Sequence, residues 1–148
     1  MVEEKVVLVD KSGNQIGLMP KLEAHQKGIL HRAFSIFLFN SENQILLQKR
    51  SLIKYHSGGL WTNTCCSHPR DGEDIIDAGK RRLYEEMGIK TELKKEFEFT
   101  YKEVLGNEFT EHEFDHVLIG NFNGNPIINK DEVEDWKWMS LEEIEKDI

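Results

Sequence analysis

Residues 67–89 read SHPRDGEDIIDAGKRRLYEEMGI, and their second half, from Asp74, carries the one strong helix signal of the chain. Acids open that segment, where they favour the positive end of a helix dipole, and Ile76, Leu83 and Met87 then fall on one side. Gly88 follows as the expected C-cap, because glycine takes the left-handed conformation without steric cost. Arg81 stands four residues before Glu85 and Arg82 four before Glu86, so two cation–acid pairs share the helix surface. On an arbitrary helix such pairs describe a solvated, salt-bridged face and nothing more.

The segments around this helix read as strands. They are residues 5–10 (KVVLVD), 33–40 (AFSIFLFN) and 44–50 (QILLQKR) joined by the turn SEN, then 97–104, and 113–122 (EFDHVLIGNF) after the loop LGN. A second, short helix opens at Ser140, with Glu143 at capping-box spacing. The expected fold is α+β: a mixed, mostly antiparallel sheet packed with helices, in a single domain over residues 1–148 with a short helical C-terminus.

Charge and hydropathy narrow the function classes. A net charge of −8 argues against nucleic acid as a partner, since that binding needs a basic face to displace counterions. A small anionic substrate is still compatible, because a few cations or a bound metal reverse the field inside one cleft. No segment approaches the roughly 20 apolar residues that cross a bilayer, so no membrane association is expected. The N-terminus carries acids where a secretory signal is basic, which points to the cytoplasm. Nothing in these patterns sets an oligomeric state.

The chain's two cysteines are adjacent, in the stretch NTCCSHP at residues 63–69. A disulfide, half of a zinc site and a reactive thiol are the readings to weigh. Bridging neighbours requires a strained ring, and no C-x-x-C pair is present.

With Glu73, Arg81, Leu83, Glu85, Glu86, Gly88 and Ile89 in place, residues 67–89 resemble the Nudix box. Two positions depart from it: Ser67 stands where the first glycine belongs, and Arg82 where Nudix hydrolases have a metal-holding glutamate. The second exchange removes a hard ligand and adds a guanidinium fork suited to phosphate oxygens. Metal-assisted hydrolysis should suffer, while diphosphate binding should not.

A wider resemblance covers nearly the whole chain. AHQKGILHRAFSIFLFN, LLQKRSLIKYHSGGLWTNTCCSHP, RRLYEEMGI, YKEVLGNEFTEHEFDHVL and DEVEDWKW together look like type 1 isopentenyl diphosphate isomerase, a Nudix branch that moves a carbon–carbon double bond. That resemblance implies a catalytic Cys66, with Cys65 a packing neighbour, and a Glu113 that is both metal ligand and catalytic carboxylate, hydrogen-bonded by Tyr101. His25, His31, His68 and Glu111 would complete a site for Mn²⁺, Mg²⁺ or Zn²⁺. Glu86 would hold a Mg²⁺ arriving with the substrate diphosphate, and Lys21, Arg50, Lys54 and Arg82 would contact its oxygens. Trp61 is a candidate aromatic face for a carbocation, and the substrate would be a small prenyl diphosphate. His56, His112 and His116 are expected to be structural or exposed. Members of that family usually continue for a few helical turns beyond the Trp136 to Trp138 region, so the C-terminal helical part is expected to be short or truncated at Ile148. The alternative is a Nudix hydrolase acting on a nucleoside or other organic diphosphate, for which Glu73, Glu85 and Glu86 speak.

Overall fold

A computed structural model describes residues 4–51, 59–106 and 108–146. The helix expected from the opening stretch, α2 (Ile75–Met87), has both of its ends fixed by sequence. Asp74 is the N-cap, its carboxylate accepting from the backbone N–H groups of Ile76 and Asp77. Gly88 closes the helix at φ 65° and donates its N–H to the Tyr84 carbonyl. A Cβ there would lie 2.6 Å from the Ile127 carbonyl oxygen, so space as well as conformation demands glycine. One turn from its start, Gly79 lets α2 settle on the sheet, since a Cβ at that position would meet Leu118 at 2.6 Å.

The sheet is built around β3 (His31–Phe39). It pairs in parallel with β8 (Phe109–Asn121), in a register that sets His31 opposite Glu113 and Ser35 opposite Val117. On its other side it pairs antiparallel with β6 (Cys65–Ser67), with Ser35 opposite Cys66. β7 (Leu93–Gly106) lies antiparallel to β8, and β1 (Lys5–Val9) to β2 (Gln15–Pro20). β4 (Gln44–Arg50) carries β9 (Val133–Ser140) and the short β5 (Trp61–Thr62). Among the described residues only β3 and β8 pair in parallel, which is the mixed, mostly antiparallel sheet that the strand pattern predicts.

The core lies between α2 and the inner faces of β3, β4 and β8, where Phe34, Ile36, Leu38, Leu46, Leu83, Met87 and Leu118 are buried. Truncating one of these, such as Leu83 to Ala, costs about 3 kcal/mol in a core of this kind. Ser140 and Glu143 exchange the two hydrogen bonds of a capping box at the start of α3 (Leu141–Lys146), as their spacing predicts. Sequence reading passes over β2, β9 and α1 (Lys21–Lys27), the last a seven-residue helix closed by Gly28 in the left-handed conformation. No helix among the described residues is long and apolar enough to cross a membrane.

Candidate active site

Four elements bring three imidazoles and a carboxylate together. His25 comes from α1, His31 begins β3, His68 follows β6, and Glu113 lies on β8 directly across from His31. All four are buried, and their ligand atoms lie within 4.8 Å of one another. The Nδ1–H of His25 donates to the Lys21 carbonyl at 2.9 Å, and that of His31 to the Ile29 carbonyl at 2.9 Å. Those backbone bonds fix the tautomers of the neutral rings and leave the Nε2 lone pairs outward, the arrangement that prepares a histidine for a metal. His31 Nε2 then stands 3.3 Å from His68 Nε2 and 3.4 Å from Glu113 Oε2, while His68 Nε2 is 3.0 Å from the same oxygen.

The cluster could hold a divalent cation, and its imidazole nitrogens and carboxylate oxygen are unlike the closed thiolate set of a structural zinc site. His68 is pushed down to about 4 by burial, against the pull of Glu113, and burial followed by His31 also lowers His25, so both favour the neutral, ligating form. Burial raises Glu113, but the facing His31 and His68 outweigh it and hold the carboxyl well below the usual range. Its other oxygen accepts from the Tyr101 hydroxyl at 2.5 Å. Burial, then Glu113, pushes Tyr101 well above the usual phenol value, so it stays a donor.

This cluster forms one wall of a cavity of about 490 Å³. Cys66 lines the same cavity, because β6 alternates, turning Cys65 into the core and Cys66 toward the hollow. Both cysteines are free. Burial pushes the Cys66 thiol up to about 12, so it is protonated near neutral pH. Thr64 pins the preceding loop between two strands, donating its hydroxyl to the Leu46 carbonyl at 2.6 Å and accepting from the Leu38 N–H at 3.0 Å.

Glu111 also lines the cavity but stands outside the tight group of four. Burial, then Glu113, raises its carboxyl to about 7. Lys21, Arg50, Trp61, Arg82 and Glu86 line the cavity too, while Lys54 and His56 fall outside the described residues. Arg82 and Glu86 are paired with each other at 2.5 Å; Arg82 also reaches Glu85 at 2.9 Å and Glu132 at 3.3 Å, and Gln48 donates to Glu86 at 3.0 Å. Arg50 Nε is buried with no hydrogen-bond partner among the described residues. Trp61 sits at the rim, 39% exposed, with the Lys137 ammonium 4.3 Å from its ring centre. The aromatic that sequence reading missed is Phe99, which lines the cavity and stacks on Tyr101 with ring centres 5.7 Å apart. Its alternation with Tyr101 along β7 was the available signal. His112 and His116 point to the other face of β8, the former toward the Gly28 carbonyl at 3.1 Å and the latter 3.3 Å from Glu98, consistent with structural roles.

Residues 29–148 match the family model described as NUDIX domain. The chain is 54% identical over 99% of its length to isopentenyl-diphosphate Delta-isomerase 2 of Aromatoleum aromaticum, of which it spans 78%. It is 56% identical over 95% of its length to the protein of the same name from Photorhabdus laumondii, of which it spans 79%. The crystal structure of DR0079 from Deinococcus radiodurans shares the fold with a TM-score of 0.78, covering 95% of this chain and 86% of that one at 18% identity.

Proposed function

Because the chain belongs to the Nudix family and matches isomerases over nearly its whole length, we propose that it interconverts isopentenyl diphosphate and dimethylallyl diphosphate. The observation that carries this reading is a thiol and a carboxylate, Cys66 and Glu113, lining one cavity while held in opposite protonation states. Moving the double bond requires a proton added at one carbon and another removed at its neighbour's neighbour, so an acid and a base must address the same short chain. In the resting site the Cys66 thiol has a proton to give, and the Glu113 carboxylate can take one. Tyr101 holds the carboxylate in place through Oε1, leaving Oε2 to face the imidazoles. Phe99 and Tyr101 offer ring faces to positive charge developing on the carbon skeleton.

His25, His31, His68 and Glu113, with Glu111 beside them, would hold Mn²⁺, Mg²⁺ or Zn²⁺. A divalent cation there supplies fixed positive charge that organises the carboxylate and sets the acidity of groups around it. The diphosphate is assigned to Lys21, Arg50 and Arg82, which line the cavity, with Lys54 as a further contact. Among the described residues three cations and five acids line the cavity, so a diphosphate needs accompanying Mg²⁺, for which Glu86 is the assigned ligand. Binding it means Arg82 shifts from Glu86 toward phosphate oxygen. Hydrolysis is disfavoured because Arg82 occupies a ligand position of the hydrolases and neutralises the acids beside it. The reading places the enzyme in the cytoplasm, a reducing compartment in which both cysteines stay free thiols.

The test is proton exchange. Metal-loaded protein incubated with isopentenyl diphosphate in D₂O should yield deuterated dimethylallyl diphosphate, and Cys66→Ala should abolish it. Absence of label in the product of the unaltered protein sinks the proposal.

A further inference from the structure

Asn63, three residues before Cys66, has every hydrogen-bonding position of its amide assigned. Its Nδ2 donates to the Ile36 carbonyl at 2.9 Å and to the Cys65 carbonyl at 3.2 Å. Its Oδ1 accepts from the Thr62 hydroxyl at 2.9 Å and from Cys66 Sγ, also at 2.9 Å. Two donors and two lone pairs are the full complement of a carboxamide. The two backbone carbonyls decide which way the amide faces. Turned over, it would set Oδ1 against two carbonyl oxygens, so the oxygen must face the sulfur.

The other polar neighbour of the sulfur has the same character. Ser35 Oγ lies 3.6 Å from Cys66 Sγ, and its own proton goes to Asp115 Oδ2 at 2.6 Å, which leaves lone pairs toward the thiol. Neither neighbour donates to the sulfur and both accept from it. The pairing of β6 with β3 creates this setting, because Ser35 opposite Cys66 and Ile36 opposite Cys65 supply one acceptor and one amide anchor.

We infer that Asn63 is a positioning residue whose side-chain oxygen holds the Cys66 S–H in a single orientation at the cavity wall, with Ser35, oriented by Asp115, as a second and weaker acceptor. The inference rests on Cys66 being the reacting thiol. Asn63 acts through the sulfur, whose proton its Oδ1 accepts at 2.9 Å. A thiol free to rotate would present its proton to the alkene only part of the time, and misplacement of a reacting group by about 1 Å costs on the order of 10²-fold in rate.

Raman difference spectra between the protein and its Cys66→Ala variant isolate the Cys66 S–H stretch without any substrate. The band is expected at the lower frequency of a hydrogen-bonded thiol. In Asn63→Ala, measured against the Asn63→Ala/Cys66→Ala pair, it moves toward the unbonded position. Thr62→Val leaves the Asn63 oxygen to the sulfur alone and keeps the band displaced. In turnover, Asn63→Ala lowers kcat on the order of 10²-fold with KM within about twofold. An unbonded S–H band in the unaltered protein overturns the inference even if Asn63→Ala does not fold, and so does a raised KM at unchanged kcat. If the bands behave as expected and the unaltered protein shows no isomerase activity, the positioning of the thiol stands and the functional reading falls.

Discussion

Two charged clusters flank the cavity, and they are finished to different degrees. Around α2, Arg81 pairs with Glu73 at 2.8 Å and Glu85 at 3.0 Å, and Arg82 pairs with Glu85, Glu86 and Glu132. Each of these carboxylates has a guanidinium. At the other cluster one buried carboxylate meets imidazole nitrogens at 3.0 and 3.4 Å, with side-chain exposure of 9% or less and no Lys or Arg ion pair to Glu113 among the described residues. The helix cluster is electrostatically closed by its own chain. The imidazole cluster brings its ligand atoms within 4.8 Å of one another and could hold a metal ion, whereas the helix cluster already balances its charges internally.

The largest effect that separates them is chemical. Glu113→Gln should lower proton exchange from D₂O on the order of 10³-fold, and reduce bound metal measured by elemental analysis; retained activity would erase the distinction. Next is stability. Arg82→Met keeps the aliphatic stem but leaves Glu86, 5% exposed, without its guanidinium partner. Removing one partner of a buried ion pair costs about 3 kcal/mol, to be read from urea unfolding, and a cost near zero would show that the helix cluster is idle. Titrating Mn²⁺ into metal-free protein should raise the Tm, equivalent to about 2.7 kcal/mol at a hundredfold excess over Kd. His31→Ala should remove that rise, whereas Glu85→Gln should preserve it.

The smallest effect is in pH. The Arg81 hydrogen bond, opposed by burial, lowers Glu73 below its ordinary 4.5. Its contribution to stability is therefore complete above about 4.5 and disappears as pH falls through the lower, folded-state value. Glu73→Gln should flatten that part of the stability curve as pH falls below about 4.5 in urea titrations. A slope unchanged by the substitution would remove Glu73 from the helix cluster.

What was legible in the sequence follows the same division. The α2 cluster is local: i,i+4 spacing gives Arg81–Glu85 and Arg82–Glu86, and the caps at Asp74 and Gly88 announce the helix ends. Glu132, fifty residues from Arg82, has no such spacing and could not be read. The imidazole cluster draws on residues 25, 31, 68 and 113, and only the resemblance to a known family singles these out. His25 sits on a helix of seven residues, too short for an amphipathic period to declare itself. β9 hides because the adjacent acids Glu134 and Asp135 interrupt its apolar pattern, along a strand that is half-buried on both faces. Asn63 lay in plain view in NTCCSHP, yet its role depends on the Ile36 carbonyl of a strand paired elsewhere in the fold.

The parallel register of β3 and β8 sets a rule for how this chain can vary in length. Strand side chains alternate faces with a period of two, so one residue inserted in β8 between Glu113 and Val117 would send either Glu113 or the core-facing stretch to the wrong side. The turn at residues 40–43 and the segment at 122–132 join elements without carrying that phase. Indels should accumulate there and be purged from the two central strands, an asymmetry that deep mutational libraries of single-residue insertions can map.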